Sequence, residues 1–181
     1  MSTSLGKYYD QVALGRVFIG STAAAGVALP VETGTAVTFA VWNTATKKVA
    51  VPLWIGIGYV SGTITVGGFV MSNFNVGFNI ATGAAMTAFT AGTPKNALLG
   101  SGLASIMSFT PSTATLAAGG TRCYGPISAH EIATAGPGVS TISHDFDGRL
   151  VVMPGQILFP SYSIAQTGVF SISMAWAEVD L

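Results

Sequence analysis

The chain has 181 residues, of which only 8% are charged: seven basic and seven acidic side chains, with a formal net charge of zero. An ordinary soluble domain carries about 25%. A chain of this length fits one domain, able to bury a two-layer core without disulfides or metals. The cations Lys7, Arg16, Lys47, Lys48, Lys95, Arg122 and Arg149 are scattered, which excludes direct nucleic-acid binding, because that relies on a clustered basic patch to displace counterions from phosphate.

Residues 1–12 are expected to form a short N-terminal arm; Met1 to Asp10 lacks the basic-then-apolar order of a signal peptide. Ser21 to Gly26 is rich in Ala, Gly and Thr and is predicted as a loop. Val37, Phe39 and Val41 then alternate with Thr38, Ala40 and Trp42, the period-two pattern of a strand with one face buried. Asn43 to Lys47 is predicted as a hairpin connection. It leads into a second alternating run, Leu53, Ile55, Ile57 and Tyr59 against Trp54, Gly56 and Gly58.

Ser61-Gly62 and Gly67-Gly68 punctuate the next stretch. Phe74, Val76, Phe78 and Ile80 alternate with Asn73, Asn75, Gly77 and Asn79. No charge occurs from Val49 to Pro94, and the mean hydropathy is +0.60. Glycine, serine, threonine and asparagine nevertheless recur too often there for a spanning helix, which needs about 20 predominantly apolar residues. No membrane partner is expected.

Ala81 to Phe89 and Pro94 to Ser105 are Ala-rich but broken by glycine, so they offer at most a short helix or turn within a long loop. Thr113 to Thr121 is predicted as another loop, and Gly136-Pro137-Gly138 and Asp147-Gly148 as turns. Met153-Pro154-Gly155-Gln156 fits a type II turn, with proline fixing φ and glycine supplying positive φ. It separates the apolar runs Leu150 to Met153 and Ile157 to Phe159. In the last run, Phe170, Ile172, Met174 and Trp176 alternate with Ser171, Ser173, Ala175 and Ala177. The runs amount to about eight to ten strands in a single-domain, all-β, antiparallel, jelly-roll-like β-sandwich spanning residues 1–181.

Residues suited to catalysis do not converge in this pattern. The two histidines are His130 and His144; in an extended segment His144 and Asp145 face opposite ways, and no nucleophile elbow is present. Asp145, Asp147 and Gly148 resemble the start of a calcium loop, but the later ligands do not follow, so a capped turn is expected. His130-Glu131 lacks the second histidine of a zinc helix. No glycine loop leads into a phosphate-binding Lys-Ser or Lys-Thr. Neither a metal, a cofactor nor an enzymatic activity is expected. Cys123, the single cysteine, excludes an intrachain disulfide and is read as a small buried hydrophobe. The tryptophans Trp42, Trp54 and Trp176 lie in or beside strand runs, where core packing is the default. Trp54, on a glycine-flanked face, is the candidate for a glycan platform. Trp54, Tyr59 and Phe69 are the candidate contacts for an oligomer or partner.

Weakly charged surface with small outer faces implies a protein that works in contact with others. The runs Leu150 to Gln156 and Gly168 to Glu178, with Gly15-Arg-Val-Phe18 and Val41-Trp-Asn43, resemble small β-sandwich virion proteins of bacteriophages. The resemblance implies a jelly-roll-like subunit of a capsid shell, often a trimeric head decoration (cement) protein bound to the major capsid protein on the capsid exterior and assembled in the host cytoplasm. It brings no catalytic residues. A shell-forming single-jelly-roll capsid protein and a receptor- or glycan-binding module of a tail or fibre are the rival expectations.

Overall fold

The structure, a computed structural model, describes residues 6–77, 86–130, 134–135 and 141–181, with the backbone alone for 129–130 and 134–135. The expected run through Phe78 and Ile80 and the turn at Gly136-Pro137-Gly138 fall largely or wholly outside these residues, as does Glu131.

The chain is an all-β sandwich with antiparallel sheets. Sheet A has the order β14 (Thr141–Asp145), β5 (Lys48–Ser61), β16 (Val169–Asp180), β1 (Val17–Ser21) and β9 (Lys95–Asn96), with β2 (Val27–Ala28) also pairing with β16. Sheet B has the order β10 (Ser108–Thr110), β4 (Ala40–Trp42), β15 (Gln156–Tyr162), β7 (Gly67–Asn75) and β12 (Thr121–His130). The main core lies between them. Phe18, Ile55, Ile57, Phe170, Ile172, Met174 and Trp176 come from sheet A; Val41, Phe69, Met71, Phe109, Leu158 and Tyr162 come from sheet B. Alternation along β16 thus produces the expected large inner face, and burying each such side chain contributes roughly 1.5–3 kcal/mol.

A third sheet was not visible in the sequence. Sheet C has the order β3 (Ala36–Val37), β11 (Ala114–Leu116) and β8 (Met86–Phe89). With sheet B it encloses a second core containing Val37, Ala40, Trp42, Val76, Met86, Leu116, Ile157 and Phe159. Sheet B is therefore covered on both faces, and β15 is buried at six successive residues from Ile157 to Tyr162. Strands covered on both faces read as continuous apolar runs, without alternation. The loops expected at Ala81 to Phe89 and Thr113 to Thr121 are corrected accordingly, since each contains a strand of sheet C. A small pair, β6 (Thr63–Ile64) with β13 (Thr134–Ala135), lies apart from the three sheets.

Asn43 to Lys47 is no hairpin. It carries the chain from β4 in sheet B to β5 in sheet A. Asn43 is fully buried, and its Nδ2 donates to the carbonyls of Lys48 and Val152 at 2.9 Å, while its Oδ1 accepts from Ala45 N–H at 2.9 Å. The Pro-Gly turn forms as expected: Gly155 has φ +80° and Gln156 N–H bonds to Met153 O at 3.0 Å. At Asp147-Gly148 both residues have positive φ, 53° and 72°, as in a type I′ turn.

The expected arm contains a short helix, α1 (Tyr9–Ala13). Tyr8 and Val12 pack on Val17, Leu53 and Ala177, which places the helix on the outer face of sheet A.

Candidate functional site

Register fixes the layout of the outer face of sheet A beyond α1. Asp145 pairs with Trp54, Trp54 with Ala175, Ala175 with Ile19, and Ile19 with Lys95, forming one transverse row. The next row is Ser143, Gly56, Ser173 and Ser21. A third begins Thr141, Gly58 and Ser171. Between Asp145 at one edge and Lys95 at the other, these rows contain no charge.

Trp54 reaches this face through a β-bulge. Pairing between β16 and β5 jumps from Ala175–Trp54 to Trp176–Pro52, so Leu53 is the extra residue. Such a bulge turns two successive side chains to one side. Leu53 fits beneath α1, and the indole of Trp54 extends over Gly56. A Cβ at Gly56 would lie 2.5 Å from Cη2 of Trp54, so only glycine lets the ring lie down on the sheet. Trp54 Nε1–H donates to Ser143 Oγ at 2.6 Å. Ser21 and Ser173 share a hydrogen bond of 2.8 Å. The Tyr8 hydroxyl donates to Leu53 O at 3.3 Å, beside the Trp54 peptide, so α1 walls one end of the face. Among the described residues the exposed Asp145 carboxylate has no hydrogen-bond or ion-pair partner.

Of the three candidate contacts, only Trp54 is on this outer face. Phe69 is 1% exposed, with its ring edge-on to Tyr162 and Phe170, so the expectation of a contact surface there is corrected: Phe69 faces the main core from β7. Tyr59 packs edge-on against Phe170 on the inner side, and its hydroxyl donates to Gly62 O at 2.7 Å, closing the turn after β5. An aromatic residue in an alternating run does not announce which face it takes; glycine neighbours were the usable signal for Trp54.

Cys123 is also corrected. It is an exposed residue of edge strand β12 and not a buried one. Its Sγ nevertheless contacts Met71 O at 3.4 Å, and desolvation pushes the thiol up to about 11.

His144 and Asp145 do face opposite ways. His144 turns inward, 3.1 Å from the Tyr124 hydroxyl, which also accepts from Arg149 at 2.8 Å. This contact ties β14 of sheet A to β12 of sheet B. Asp147 is held by Arg149 at 3.1 Å and by Lys7, as a turn carboxylate in ion pairs. Among the described residues no three His, Cys, Asp or Glu side chains gather to hold a metal ion. His130 is in β12 with its backbone alone described.

The loop from Gly92 to Met107 surrounds a cavity of about 510 Å³, lined in part by Leu98, Leu99, Leu103 and Ser105. Leu99 is 86% exposed and Leu103 52%. The expectation of a long loop with at most a short helix or turn over Pro94 to Ser105 is corrected in part, since the segment opens with β9 at the edge of sheet A and the loop follows it. Among the described residues no helix is long and apolar enough to cross a membrane. Comparison with protein-family models, with curated proteins and with solved structures finds no match.

Proposed function

We propose that the chain is a structural subunit of a bacteriophage virion, a decoration (cement) protein that forms a homo-oligomer, a trimer by preference, on the capsid exterior and stabilises the lattice of the major capsid protein. The observation that carries this reading is the loop after β9 with Leu98, Leu99, Leu103 and Ile106 all exposed, and with Leu103 against Gly15, the chain neighbour of an exposed Leu14. Leucines grouped in this way on a chain with only 8% charged residues mark a surface suited to a neighbouring subunit.

Contacts of this kind are apolar, so moderate salt leaves them intact. The test is the mass of the purified protein in solution, with Leu99→Asp and Leu103→Asp as variants. Discrete oligomers that dissociate on either substitution support the reading. A wild-type monomer that also fails to bind capsids overturns it. Closed shells formed by the chain alone would favour the rival reading, a single-jelly-roll capsid protein. A glycan-binding module of a tail or fibre is favoured by one observation, the placement of Trp54 beside Asp145.

A further inference from the structure

We infer that the outer face of sheet A holds a binding site for a neutral hexopyranose, centred on Trp54. This goes beyond the assembly reading and does not depend on it. Sugar rings present a face of C–H groups and a rim of hydroxyls. A matching site offers a flat aromatic face and polar groups around its edge.

Trp54 supplies the first of these. Trp54 is half-buried on this face, Gly56 leaves the space that its six-membered ring occupies, and the bond from Nε1–H to Ser143 fixes its orientation at 2.6 Å. The ring is thus held in place before any ligand arrives, which reduces the ordering cost of binding. Ser143 Oγ accepts from the indole, so its own O–H remains available to donate to a sugar oxygen. Asp145, two residues along β14 from the bonded serine and so on the same face, is exposed and lacks a partner among the described residues; a free carboxylate accepts from two adjacent sugar hydroxyls. Ser173, in β16, pairs with Gly56 on the side of β5 away from Ser143, and in its hydrogen bond with Ser21 one hydroxyl proton is left over.

Two features select the ligand. Among the described residues the charge next to Trp54 in its row is the Asp145 carboxylate, which disfavours sialic acids, phosphosugars and other anions. The wall formed by α1 at one end of the face, docked through Tyr8 and Val12, obstructs the flat approach of a second sheet, the occupant that a bare strand face would otherwise favour.

The experiment is a proton–nitrogen NMR titration of the full chain with lactose, cellobiose and N,N′-diacetylchitobiose at millimolar concentrations, following the three indole N–H signals, with Trp54→Phe to assign one of them. At least one sugar should move the Trp54 signal saturably while Trp42 and Trp176 stay still. Trp54→Ala and Asp145→Asn should each weaken binding by about tenfold or more, and Lys95→Ala at the far edge should not. If none of the three sugars moves the Trp54 signal, or if Asp145→Asn binds as well as wild type, the inference is overturned. Should Trp54→Ala fail to fold, Asp145→Asn decides, because it alters an exposed side chain without a described partner. The mass of the same samples reports on assembly separately, so failure of one reading is distinguishable from failure of the other.

Discussion

Glu178 is the one charged residue buried among those described, 4% exposed, and its partners explain its presence. Ile106 N–H donates to it at 3.1 Å and Trp176 Nε1–H at 3.3 Å, with Ser105 as a further donor. The carboxylate thereby anchors the apolar loop to the end of β16. Glu178→Ala strips acceptors from buried donors and is expected to cost about 2–4 kcal/mol, measured as a lowered denaturation midpoint; Glu178→Gln, which keeps one acceptor oxygen, should cost less. Cys123 gives a second test. A thiol raised to about 11 is almost wholly protonated at pH 8, and its reaction with a disulfide reagent should run on the order of 100-fold slower than that of an unperturbed cysteine. The folded thiol binds its proton more tightly than the unfolded one. Its stabilising effect is therefore full below the ordinary thiol range, near pH 9, and is lost as pH rises through about 11. Alkaline denaturation followed in wild type and Cys123→Ser checks that sign. At this scale the sequence was only partly readable: glycines on either side singled out Trp54, whereas Phe69 and Tyr59 carried no mark of the face they would take.

At the scale of elements, long alternating strands were legible and short ones were not. β16 and the middle of β5 alternate because one face meets the main core and the other stays outside. β3, β8 and β11 have two to four residues each, several of them alanine or threonine, and such pieces are too short for a period to appear. Their consequence is testable. Phe159 faces sheet C and Phe170 faces the main core, and both are at most 1% exposed. Phe159→Ala and Phe170→Ala should each cost about 3–5 kcal/mol. In a sandwich of two layers Phe159 would sit on the outside and its truncation would cost little, so denaturant unfolding of the two variants separates the arrangements. The Asn43 to Lys47 segment looked like a hairpin because turn residues mark a reversal without saying which strand comes next; its actual role depends on the buried bonds of Asn43, which only the folded chain supplies.

For the molecule as a whole, scarcity of charge has two sources. One is internal: covering sheet B on both faces takes side chains away from water without any partner chain. The other is external, the uncharged rows of sheet A and the leucine loop, and the oligomer and sugar titrations bear on these separately. Composition showed the total but could not divide it, because burial by sheet C and burial by another subunit demand the same residues. The position of β16 has a consequence of a different kind. It lies between β5 and β1, and its pairs with β5 join residues more than 100 positions apart. During synthesis, at about 5–20 residues per second, sheet A cannot close until Val169–Asp180 has left the ribosome. Until then the long β5 presents an unpaired edge on a nascent chain with no charge from Val49 to Pro94. Such an edge is a template for pairing with other chains, so the same topology that completes the sheet last makes the interval before completion the period of greatest exposure to aggregation, and makes folding slow through the closure of long loops.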